Sequence, residues 1–188
     1  MSVQDAVRYR VDPGIGRFTV KAFASGLLAA MGHNPAIAIR DYSGEAGFAT
    51  DTLDRAFLRM TVRPESFEVT DEVSDKDKLE IESRMKREAL ETAQYPTISF
   101  ESSNIAVSKV GENSYAVKVS GTLSLHGIAC PQTIQAQVAL NGDSLRAYGE
   151  FSLRQTDFGI KLVSVAAGAL KVKDELKVSF DITARKLA

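Results

Sequence analysis

The chain has one cysteine, two histidines and almost no net charge, and each scarcity removes a class of function. A single thiol, Cys130, excludes an intrachain disulfide and a cysteine-rich metal centre, and it suits a reducing compartment. His33 and His126 stand far apart, without the close acidic or cysteine partners that would complete three or four metal ligands, so no metal site is expected. Lys plus Arg number 23 and Asp plus Glu 24, a net charge of -1 over 188 residues. No global field draws the chain to nucleic acid or an anionic membrane. Long hydrophobic runs are missing too. The longest weakly polar stretch, Ala22 to Met31, is interrupted by Ser25 and Gly26 and is about half the ~20 residues that span a bilayer. It reads as a buried helical turn or as an apolar lid or wall segment. The first residues, Met1 to Arg8, show no basic region followed by an apolar one, so the expected setting is the cytoplasm, or the periplasm if a leader was removed.

Signatures of catalysis are equally sparse. There is no Gly-x-Ser-x-Gly elbow, and nothing visible orients or acidifies Cys130, although His126-Gly127 lies just before it. Gly14-Ile15-Gly16 lacks the third glycine and following helix of a dinucleotide fingerprint and reads as a hairpin turn. No catalytic residue and no cofactor is expected.

What the chain does have is alternation. From Tyr115 to Leu125 every second residue is apolar or glycine, which sets Val117, Val119, Leu123 and Leu125 on one face, because successive strand side chains point to opposite sides. Arg55 to Arg63 sets Leu58, Met60 and Val62 against three arginines, with Phe57 the exception. Ile134, Ala136 and Val138 repeat the pattern, as do Val178 and Phe180. Shorter segments carry Phe18 and Val20, Ile37 and Ile39, Ile98 and Phe100, and Phe151 and Leu153. These apolar sets are buried together by closing the sheet on itself. The expectation is one all-β domain over residues 1–188, an extended antiparallel eight-stranded barrel with 44% hydrophobic residues to fill or line it.

Between Asp71 and Gln94 the period changes. Ser74 offers a cap, and Leu79, Ile81, Met85, Ala89 and Leu90 recur at helical spacing, with Glu82, Lys86, Arg87 and Glu91 turned to water and Tyr95-Pro96 as the stop. One amphipathic helix at about 75–93 is expected beside or over the barrel, as a cap or a lid. Further on, Arg154 precedes Asp157 at a strand end. The spacing suits an ion pair that fixes the turn; alternatively, Arg154 meets an anionic head group.

These segments, in this order, resemble the YceI family of polyisoprenoid-binding, lipocalin-like proteins. The resemblance is carried by Tyr9-Arg10-Val11-Asp12, Gly32-His33, Tyr42-Ser43-Gly44, Tyr95 to Ser102, Gly121 to Gly127, and the cluster Arg154, Asp157, Phe158 and Gly159. It runs from about Tyr9 to about Ala184. It implies a barrel that binds, transports or stores one long-chain lipid, an isoprenoid, isoprenoid quinone or fatty acid derivative, without catalysis. The inward residues named above, together with Phe158, are then the ligand wall, and His33, His126, Arg154 and Asp157 the head-group contacts. Small inward residues, Gly121, Ala136 and Gly149, are expected to leave a channel. A barrel filled by its own side chains, used structurally or for a partner, is the alternative, and a lipid-modifying enzyme the remoter one. Transient membrane contact and a dimer are both compatible with this reading.

Overall fold

A computed structural model describes residues 6–25, 34–49, 55–165 and 170–188 of the chain. In chain order the strands are β1 (Ala6–Lys21), β2 (Ala24–Ser25), β3 (Ala36–Ile39), β4 (Tyr42–Ala49), β5 (Phe57–Val62), β6 (Phe67–Val69), β7 (Ile98–Gly111) and β8 (Ser114–Leu125). They continue as β9 (Ile128–Asn141), β10 (Ser144–Arg154), β11 (Ser164–Val165), β12 (Leu170–Val172) and β13 (Glu175–Lys186). Eight of them close an antiparallel barrel in the order β13-β10-β9-β8-β7-β5-β4-β1, with β1 returning to β13. The alternating segments thus become one continuous wall whose inward faces meet. Val119 lies opposite Ile134, Phe100 opposite Leu123, and Phe18 opposite Phe180.

β1 serves two neighbours on one side. Its first half pairs with β4, from Ala6–Ala49 to Arg10–Glu45, and its last residues pair with β3. The change of direction falls at Asp12 to Gly16, where the register against β13 shifts. Gly14-Ile15-Gly16 is therefore a bulge inside one strand and not the hairpin turn expected from sequence. Gly16 has φ 125°, and a Cβ there would sit 2.3 Å from the Asp181 carbonyl oxygen, so both conformation and space require glycine. Asp12 braces the bulge by accepting from the Gly14 amide at 3.0 Å and from Arg185 Nε at 3.0 Å.

β6 adds to β3 and leaves a free strand edge, which the helix α1 (Asp75–Arg84) covers. The Val69 amide donates to Glu82 Oε1 at 2.9 Å, so a side chain completes what a further strand would have bonded. Glu82 was expected in water; its bond to the β6 edge draws it in. Ser74 caps α1 by accepting from the Asp77 amide at 3.1 Å. The helix is shorter than expected. One π turn, Met85–Ala89, follows it, and the chain reverses at Glu91, where φ is 46°, well before Pro96. Ile81, Met85 and Leu90 pack on the barrel core, but Leu79 is 68% exposed and belongs to the wet face.

The stretch from Ala22 is strand-like where described. Ala22 is buried, and Ala24–Ser25 pairs with Lys171 and Val172 in a small sheet with β11, so no helical turn forms over these residues. Gly26 to Met31 lie outside the described residues.

Candidate functional site

The inner wall of the barrel does not fill its own space. A cavity of about 280 Å³ runs between the strands, against the roughly 10–15 Å³ that one water needs by the same measure. Its wall is aliphatic and aromatic. Among the described residues it contains no Asp, Glu, Lys, Arg, His or Cys; the polar side chains on it are Ser99, Tyr115, Gln132 and Gln155. The alternative of a barrel packed solid by its side chains does not match this interior.

Most of the residues expected on the wall border the cavity. Phe18, Val20, Ile39, Leu58, Met60 and Val62 border the cavity from β1, β3 and β5. Ile98, Phe100, Val117, Val119, Leu123 and Leu125 border it from β7 and β8. Ile134, Ala136, Val138, Phe151, Leu153, Val178 and Phe180 complete that set from β9, β10 and β13. Two expected residues are elsewhere. Ile37 is buried between β1 and β6, facing Val20 and Val69, and Phe158 is 2% exposed in the packed cluster beneath Leu125 and Ile160. Both are core, away from the cavity.

The glycines expected to open a channel do not border it. A Cβ on Gly121 would lie 2.6 Å from the tip of the Phe100 ring, and one on Gly149 3.0 Å from the tip of Phe180. Each glycine is a seat for an aromatic ring from the neighbouring strand, so the space it vacates is already occupied. Ala136 and Ala147 do border the cavity.

Sequence reading missed several wall residues: Val11, Phe48, Phe67, Ile105, Leu140, Leu145, Leu176 and Ile182. Leu140, Leu176 and Ile182 lie one further step of two along segments already recognised, a signal that was present but truncated. Leu90 and Ile160 close the end near the helix and were out of reach of any strand periodicity.

The expected head-group residues are not gathered at the cavity. His126 sits in the β8–β9 turn with φ 52°, its ring 4.5 Å from that of Tyr95. Nδ1 lies 3.1 Å from the Phe158 carbonyl oxygen and Nε2 2.6 Å from Glu91 Oε2. Through these two contacts the ring links the chain reversal at Glu91 to the turn at Phe158. Arg154 points from the outer face and donates to Asp174 Oδ2 at 2.9 Å. Thr156 adds its amide and hydroxyl to the same carboxylate at 2.8 and 2.7 Å. The turn is fixed by Asp174 and not by Asp157, and those bonds hold the Asp174 carboxyl below its ordinary value. Asp157 borders a shallow outer depression with Cys130 and Glu175. His33 lies outside the described residues.

No described helix is long and apolar enough to cross a membrane. Among solved structures, BcnA of Burkholderia cenocepacia superposes with a TM-score of 0.70 at 21% identity, over 92% of this chain and 98% of its own. A polyisoprenoid binding domain from Saccharophagus degradans gives 0.66 at 18% identity, over 95% and 98%. The YceI protein of Campylobacter jejuni gives 0.58 at 16%, over 81% and 85%. No curated protein matches the chain. The family model for the YceI-like domain matches residues 9–184, nearly the whole barrel, and the chain belongs to that family.

Proposed function

We propose that this chain binds one long-chain amphiphile inside the barrel, an isoprenoid lipid, isoprenoid quinone or fatty-acid-like molecule, and carries or stores it without chemical change. The observation that carries the reading is the uncharged cavity of about 280 Å³. Water in such a space finds few partners, whereas a hydrocarbon chain gains ~0.8 kcal/mol per methylene-sized group, so an isoprenoid unit of five carbons contributes about 4 kcal/mol before ordering costs. Affinity then grows with chain length. The polyisoprenoid binding domain of Saccharophagus degradans, similar in fold, supports the same class of ligand. An enzyme would need an ionisable group turned to the bound chain, and the described wall offers only the Tyr115 phenol. The single thiol agrees with use in the cytoplasm.

The test is native mass spectrometry of the purified protein, paired with mass analysis of its organic extract. A stoichiometric long-chain lipid is expected. A clean unliganded mass that stays unchanged on adding isoprenoid quinone or fatty acid would falsify the reading.

A further inference from the structure

The barrel wall is not laddered throughout. β9 and β10 pair from Asn141–Ser144 to Gln135–Glu150 and then part. β9 nevertheless stays bonded to β8 down to Ile128, and β10 to β13 up to Arg154. Had the register continued, Gln132 would oppose Leu153. Instead these two residues border both the central cavity and an outer depression of about 220 Å³. The seam is a place where the apolar interior and a polar outer pocket share one thin partition.

Gln155 stands at the same seam, just past the end of β10. It is 7% exposed, the one buried polar residue of the described core, and it borders the cavity. Its backbone is anchored on both sides, the amide to the Asp174 carbonyl at 3.0 Å and the carbonyl to the Ile160 amide at 3.1 Å. Its Nε2 donates to the Lys173 carbonyl at 2.9 Å. That bond decides which way the side-chain amide faces, because the flipped form would set two acceptors against each other. Among the described residues nothing donates to Oε1, and no sealed side-chain oxygen or nitrogen lacks a partner. Oε1 is therefore not sealed off, and of the two spaces at the seam Gln155 borders the cavity and not the outer depression. Gln132 repeats the arrangement, with Nε2 donating to the Thr133 carbonyl at 3.1 Å and its oxygen uncommitted.

The seam thus offers acceptors to whatever occupies the barrel. The charges outside point the same way. Asp157, Glu175 and Arg154 border the depression, and the Arg154 guanidinium is already paired with Asp174, which leaves the two carboxylates unbalanced. A phosphate or carboxylate would meet like charge, and an ammonium would have to shed water against uncharged amides. A hydroxyl fits both constraints, being neutral and able to donate.

We propose that the polar end of the ligand lies at the β9–β10 seam as a hydroxyl donating to Gln155 Oε1, so that this chain takes a long-chain alcohol in preference to the matching phosphate or acid. The assignment rests on the lipid-binding reading above. It is tested by native mass spectrometry with one isoprenoid chain in four forms: geranylgeraniol, its phosphate, its carboxylic acid and the parent hydrocarbon. The alcohol is expected to bind about tenfold tighter than the hydrocarbon, the value of one good hydrogen bond, with phosphate and acid weaker than the alcohol. Gln155→Leu should erase the advantage of the alcohol and leave the hydrocarbon unchanged, and Gln132→Leu should reduce it. The wild-type ranking alone decides if Gln155→Leu does not fold. Phosphate or acid binding as tightly as the alcohol overturns the assignment, as does an alcohol advantage that survives in folded Gln155→Leu; either result leaves lipid binding intact. Uptake of none of the four removes the lipid reading and the seam assignment together.

Discussion

The same strands make two unlike surfaces. On the outside, opposite charges face each other across the ladder: Arg8 with Glu45, Arg59 with Glu101, Lys177 with Glu150, Arg146 with Asp181. On the inside there is a void bordered by hydrocarbon. Exposed pairs of the outer kind contribute little to stability, because water already solvates both partners and screens their attraction. The inner face loses stability by leaving space open, since atoms bordering a void forgo contacts that a packed core would give them. The charged face is hydrated; the uncharged face is where binding energy can be gained. Substitutions on the two faces should therefore differ in kind as well as in size.

The largest effect is expected from placing a charge inside. Leu123 is 7% exposed on the inner face of β8, and Leu123→Asp leaves a buried carboxylate without a partner, which should destabilise by about 3–5 kcal/mol. Urea unfolding measures that loss, and native mass spectrometry should find no bound lipid. A folded variant with its full lipid load would show that the interior is not the site.

Filling the void separates binding from stability. Ala136→Phe adds a ring where β9 borders the cavity, and lipid load should collapse while stability moves by about 1 kcal/mol or less, because the ring enters space already present. An unchanged load with a large fall in melting temperature would mean that the cavity does not accept the ring and that the comparison between the faces is drawn in the wrong place.

The clamp at His126 tests whether the end near the helix is merely structural. His126→Ala removes bonds to the Phe158 carbonyl and Glu91 and the contact with Tyr95. A loss of about 2 kcal/mol is expected from the groups left unpaired, with lipid still bound, since the histidine does not reach the cavity. Abolished binding at unchanged stability would return His126 to the ligand.

The smallest effect lies outside and shows in pH. Bonds from Arg185, Arg146 and Thr156 hold the carboxyls of Asp12, Asp181 and Asp174 below their ordinary value, and Lys78 and Arg40 do so for Glu68. Their native values being lower than their unfolded ones, these groups add stability that is complete above the ordinary carboxylate range. It fades as pH falls through the depressed native values. Melting curves should therefore be flat near neutrality and decline on the acid side, and added salt should weaken the outer pairs without altering lipid load. Loss of lipid on adding salt at neutral pH would tie the outer charges to binding after all.

Period-two alternation made the closed barrel and most of its inner wall legible, because it reports which face a residue occupies. It says nothing of where pairing stops or which distant residue a side chain meets. Arg154 illustrates the limit. Its spacing from Asp157 suggested a local pair, but Asp174, at the entry to β13, is brought to it by the tertiary fold and has Thr156 to help hold it. Leu79 suited a helical stripe by spacing, yet the helix meets the barrel over only part of its length and leaves that leucine in water. The seam between β9 and β10 was not read from the sequence: clean alternation in β9 ends at Ile134, with Gln132 and Pro131 on the far side, but that break does not say which neighbour is lost. Only their failure to pair marks it.

The rings of Phe100 and Phe180, resting on Gly121 and Gly149, also bear on how such a chain finds its native form. A barrel of long antiparallel strands is built from contacts distant in sequence, which folds slowly and can slide by two residues without exposing its apolar face. Such a slip would bring each ring over Val119 or Leu123, or over Ala147 or Phe151, where a Cβ and more stand in the way. The two glycines act as notches that only the correct alignment can engage, so they would proofread strand register during folding in addition to making room afterwards.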